Sequence, residues 1–210
     1  MAASRYATPS AESRPDACLM AGARVAVDCA APAAAFPSVE LRIVSHAHWE
    51  QWRWLVDPSA LAALASGCLH VLCTPPTARL LRYRLHEVGA LKDPDVALAG
   101  LCTLEFGQAL ELPALPSPDG AAGAPFSGRL ALEFWPSGHS PPGAAGVTVA
   151  DLDTGLAEVH MAHSNLGMPG ITDGLQGVLQ HLQERTDSGR LCVSRWIIDN
   201  YGNEDCMHRD

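Results

Sequence analysis

The sequence predicts an α/β domain in which two β-sheets are covered by helices. Three observations carry this: short apolar strand candidates recur along the chain, two segments open with helix-start chemistry, and one pair of strands is joined by a tight turn. In chain order, the first sixteen residues read as a loose polar lead, then RVAVDCA (24–30) as a short buried strand and VELRIVS (39–45) as a second. Residues 59–66 suit a short helix opened by Asp57-Pro58, and LHVLC (69–73) is a further strand. It runs into TPPTARLLRYRLH (74–86), where Thr74 can cap a helix and Pro75 can occupy its first turn. Leu80, Leu81 and Leu85 give that helix an apolar stripe and leave Arg79, Arg82 and Arg84 toward solvent.

The remainder is richer in strands. LCTLEF (101–106) and QALELP (108–113) flank Gly107 and read as a hairpin, followed by a flexible Pro/Gly loop at 116–125. RLALEFW (129–135) and GVTVADL (146–152) alternate, and Asp153-Thr154-Gly155 turns the latter into LAEVHMA (156–162). A helix at 175–182 and a closing strand at 191–199 complete the pattern.

Composition narrows the function classes. Apolar residues are 48% and charged residues 18% of 210, enough for one packed core. Acids outnumber bases 23 to 14, for a formal charge of −9, and from Leu130 onward four Arg face eleven Asp and Glu. Such a surface repels a phosphate backbone unless positive charge is concentrated in a groove or supplied by metal. Seven Cys with no C-x-x-C pair, and an N-terminus without an apolar signal core, lead us to expect an intracellular protein with reduced thiols. No apolar run approaches the ~18 residues of a membrane span.

The sharpest chemical signal is HAHWEQ (46–51), directly after a strand. Histidines at i and i+2 point the same way where the chain leaves a sheet, so His46 and His48 can share one metal ion. Nine histidines in the chain also allow a chance pair of ordinary, partly exposed residues. The order of the downstream motifs favours the metal.

Taken in sequence, these segments resemble the DNA cross-link repair nucleases of the metallo-β-lactamase fold, the Artemis and Apollo group, over residues 20–206. The resemblance rests on RVAVDC, IVSHAHWEQ, VLCTPPTARLL, FGQALELP, ALEFWPSGHSPPG and WIIDNYGNEDC, in that order. It implies a four-layer αββα sandwich and a zinc-dependent phosphodiester hydrolase. His46 and His48 match its first two metal ligands, His139 matches the third, and His163 stands where the family places a bridging Asp. Glu50 replaces the Asp of the metal motif and is the candidate general base. Gln51 replaces the motif's last His. These departures imply one zinc ion or none, and weak or absent activity. The face of Arg79, Arg82 and Arg84 is the candidate phosphate track.

As partners the resemblance implies DNA, if the protein is active, and a protein in a repair complex. It implies nuclear localisation and no membrane. Residues 17–210 would form one metallo-β-lactamase-like domain, incomplete at its C-terminal end and without a complete β-CASP clamp. Plainer readings stand beside each residue: His139 in a polar Gly/Pro loop, His160 and His163 at a core edge, Trp49, Trp52 and Trp54 as core, and the arginines as a solvated helix face. Two alternatives of other classes also stand: a non-catalytic interaction scaffold, and a single-zinc small-molecule hydrolase.

Overall fold

Valine, isoleucine and leucine crowd the short strands, and the chain buries them between two sheets. The computed structural model describes residues 19–29, 31, 35, 37–114, 125–139, 141–165 and 167–198. The first sheet contains β1 (Leu19–Met20), β2 (Val25–Val27), β3 (Leu41–Ile43), β4 (Val71–Cys73) and β5 (Leu101–Thr103), in that order. All its neighbours are parallel except β1 and β2. The second contains β6 (Ala109–Leu112), β7 (Leu130–Pro136), β8 (Ala145–Asp151), β9 (Leu156–His160) and β10 (Cys192–Ile197). Strands β6 to β9 form an antiparallel meander, and β10 joins β9 in parallel.

Three apolar layers define the sandwich. Met20, Val25, Val27, Ile43 and Leu72 of the first sheet meet Leu130, Leu132, Phe134, Val147 and Val149 of the second. The other face of the first sheet packs Val44, Val71 and Cys73 under α1 (Trp49–Trp52), a 3-10 turn (Arg53–Val56), α2 (Pro58–Ser66) and α3 (Pro75–Glu87). Ala131, Trp135, Ala150 and Val159 lie on the other face of the second sheet, under α4 (Ile171–Arg185). The result is the four-layer αββα sandwich expected from the sequence. Residues 1–16, proposed as a loose lead, and the 116–125 loop apart from Pro125 lie among or beside residues outside the described set.

Helix starts obey local chemistry. The Asp57 carboxylate accepts from the backbone N–H of Ser59 at 2.8 Å and of Ala60 at 3.3 Å, with Pro58 in the first turn of α2. Thr74 caps α3 in the same way, accepting from Thr77 N–H at 3.4 Å. The β8–β9 hairpin turns at Asp153-Thr154-Gly155 as expected.

One expectation is overturned. Residues 101–106 and 108–113 do not pair as a hairpin: β5 pairs with β4 in the first sheet, and β6 with β7 in the second. Gly107, at φ +78°, is where the chain passes from one sheet to the other. Period-2 alternation marks a strand without saying which neighbour will satisfy its backbone.

Candidate metal centre

Three strands deliver the site from their C-terminal ends. His46 and His48 follow β3, His139 follows β7 and His163 follows β9. Within the meander β7 and β9 run the same way, so both exits emerge on one edge. Backbone hydrogen bonds tie the loops together: Ala145 N–H donates to Ser45 O at 3.0 Å and Asn165 N–H to Ser137 O at 2.8 Å. The Thr74 hydroxyl donates to Gly143 O at 2.6 Å, fastening the His139 loop to the start of α3. Gly143 has φ +80°, and a Cβ there would lie 2.4 Å from Thr74 Oγ1, so this close approach requires glycine.

The four histidines converge, each offering a nitrogen within 4.8 Å of the others. The His46, His48 and His139 rings stand 4.6 to 4.9 Å apart, centre to centre, with interplanar angles of 74° to 87°. His163 lies 4.7 Å from His46 and 5.0 Å from His139, but 6.1 Å from His48. Ala162 adopts φ +47° immediately before it, an uncommon conformation for a residue with a side chain. A tetrahedral ion with bonds of about 2.0–2.1 Å separates its ligand nitrogens by about 3.4 Å. Nε2 of His139 and Nδ1 of His48 are 3.4 Å apart.

The best-defined ligand is His46, which is 1% exposed. The Ser45 hydroxyl donates to Asp28 Oδ2 at 2.5 Å, and Asp28 Oδ1 accepts from Ser45 N–H at 2.8 Å. With its single proton committed, the Ser45 oxygen accepts from His46 Nδ1–H at 2.7 Å. That fixes the tautomer and leaves a lone pair on Nε2, which is buried without a hydrogen-bond partner among the described residues.

Burial pushes His46 down to about 2, reinforced by the neighbouring charges of His163, His48, His139 and His160. His139 is held down to about 4, chiefly by burial and then by His48 and His163. His48 is lowered mainly by burial and then by His163, with Glu50 opposing and Arg84 assisting. Neutral imidazoles with converging lone pairs fit a borderline divalent cation such as zinc.

The other expected residues fall outside this cluster. Glu50 is exposed in the first turn of α1, close enough to His48 to act on its titration but not among the converging donors. Gln51 is 4% exposed, and among the described residues its Oε1 has no hydrogen-bond partner. Among the described residues no carboxylate joins the four histidines. Of the three arginines, Arg82 donates to Val96 O, Arg84 pairs with Glu87 at 2.8 Å, and Arg79 is exposed. Trp52 and Trp54 are core residues, and Trp49 stacks edge-on against Trp52.

Asp28 and Ser45 were not singled out from the sequence. Their signal was available, since both follow the strand ends nearest His46. His160, 2% exposed, accepts from Ala162 N–H at 3.1 Å through Nδ1 and supports the turn into His163.

Comparison with protein-family models gives no match, and comparison with curated proteins gives none either. Among solved structures, the chain is similar to a metallo-β-lactamase from Cronobacter sakazakii with a HARLDQ motif. The TM-score is 0.41 at 14% identity, covering 83% of this chain and 68% of that one. A mutant of that protein gives the same values.

Proposed function

We propose that this chain is a single-zinc protein built on a metallo-β-lactamase-type sandwich, with a hydrolase-like centre in which a fourth histidine takes the position an enzyme leaves open. The convergence of His46, His48, His139 and His163 from both sheets carries this reading. His46, His48 and His139 form the compact facial set, and His163 is the more displaced fourth donor. Ser45 and Asp28 hold His46 in the ligating tautomer. The Ser137 carbonyl and Gly143 hold the two loops of the second sheet in register with it.

A zinc ion held by His46, His48 and His139 would supply Lewis-acid polarisation and activation of water at its fourth position, for which His163 competes. Glu50, beside His48 and in water, is the carboxylate placed to exchange a proton at the rim. With no carboxylate beside the four histidines among the described residues, a two-metal clamp on phosphate is not supported, so weak activity at most is expected of the wild type.

The test is metal content by elemental mass spectrometry on untagged protein purified without added metal. One zinc per chain, lost in His46→Ala and His139→Ala, is the expected result. In His163→Ala zinc should remain, and hydrolysis of bis(p-nitrophenyl) phosphate should rise. Well-folded wild type without zinc overturns the reading and leaves the interaction scaffold.

DNA is the finer substrate proposal. It rests on the order of the six sequence motifs and on Arg84, whose charge reaches His48 at the rim. Slow, His46-dependent trimming of 5′-phosphorylated single-stranded DNA would support it and, with it, a nuclear repair role. Turnover of the small phosphodiester without turnover of DNA would assign the site to small molecules.

A further inference from the structure

A second site lies away from the histidine centre, between β7 and α4. Glu133 points from β7 toward α4, on the same face as Ala131 and Trp135, and is 1% exposed. Its Oε1 is 2.7 Å from Nδ1 of His181, whose side chain is 44% exposed, yet that oxygen has no well-aligned hydrogen bond among the described residues. A carboxylate buried against one half-solvated imidazole is incompletely compensated.

The helix above makes a second unfavourable choice at the same place. Gly174 and Gly177 lie within the 15-residue α4, where glycine is a poorer helix former than alanine. A Cβ on Gly177 would meet nothing within 4 Å among the described residues, whereas one on Gly174 would lie 3.3 Å from Pro136 Cδ, so it is Gly177 that leaves open space beside Glu133. The result is a cavity of about 270 Å³, near the small end of ligand pockets. Phe106, Trp135 and Val178 give it apolar walls, and Asp173 adds a second carboxylate. Phe106 is 40% exposed, a large apolar ring left at the opening.

We propose that this cavity binds a small organic cation, an ammonium head on an aromatic or aliphatic body. The head meets the Glu133 carboxylate with Asp173 nearby, and the apolar body lies against the rings of Phe106 and Trp135. The two carboxylates disfavour an anion, and a neutral ligand leaves Glu133 uncompensated.

Phenethylammonium chloride is the probe, with 2-phenylethanol and 3-phenylpropionate as the neutral and anionic analogues, titrated by calorimetry and by amide chemical shifts. Expected are submillimolar binding of the ammonium, at least tenfold weaker binding of both analogues, and at least tenfold loss in Glu133→Gln. Gly177→Leu fills the space with a better helix former; it should fold as well as wild type and abolish binding. Absence of binding, equal binding of the neutral alcohol, or unchanged affinity in both variants overturns the proposal. Zinc content should not change in either variant, which keeps this result separate from that of the histidine centre.

Discussion

Replacing Ser45 by alanine removes one oxygen that makes two side-chain bonds, 2.5 Å to Asp28 and 2.7 Å to His46. The Nδ1–H of His46 then has no partner in a site 1% exposed, at a cost of about 1–3 kcal/mol to the metal-free fold. The proton is also free to move to Nε2, the nitrogen that faces the other imidazoles. Losing the group that orients a metal-binding histidine typically weakens affinity about 10–100-fold. That is about 1.4–2.8 kcal/mol at 1.4 kcal/mol per decade. The assay is zinc competition against a chromophoric chelator, with urea unfolding of both metal-free proteins alongside. A folded Ser45→Ala protein with a zinc Kd within twofold of wild type refutes the argument. So does a variant that loses stability but keeps its affinity, because Ser45 would then serve packing alone.

Gly143→Ala forces a side chain into φ +80° and against Thr74 Oγ1. The backbone term alone is about 1–2 kcal/mol, read from urea unfolding, and zinc affinity should fall because His139 shares the loop. In native thiol labelling at pH 8, Cys68, Cys102 and Cys192 should react while Cys73 stays protected. Burial pushes the Cys73 thiol up to about 12; labelling of Cys73 at the rate of Cys102 would contradict its place under α3. For metal-free protein, His46 near 2 and His160 near 4 both lie below their ordinary 6.5. The unfolded chain therefore binds more protons, and stability, full above pH 6.5, should fall steadily as pH drops toward 4. A flat profile over that window in denaturant titrations would show that these histidines are not buried.

Legibility in the sequence followed local chemistry. Thr74 and Pro75 announced α3, and Asp153-Thr154-Gly155 announced a hairpin, because capping and tight turns are satisfied by neighbours in the chain. Gly107 misled because a turn residue does not name the sheet on either side of it. β1 and α1 were missed because two and four residues are too few to show a period. The sequence of β7 alternates, yet Leu130 to Trp135 are all buried, since α4 covers the side that carries Glu133. The histidine set was legible only through motif order, as its members lie 91 residues apart from His48 to His139. The Ser45 bridge to Asp28 depends on how two adjacent strands end together, which no single segment records.

Gly107 has a further consequence. Strands before it build one sheet and strands after it build the other, while His46 and His48 come from the first part and His139 and His163 from the second. An ion held by all four imidazoles would be a clasp closing two lobes of one chain, much as a hinge pin joins two leaves. Chelation should then loosen the seam between the lobes before it loosens either lobe, and amide exchange should accelerate first at Ala145, whose N–H donates to Ser45 O across the seam.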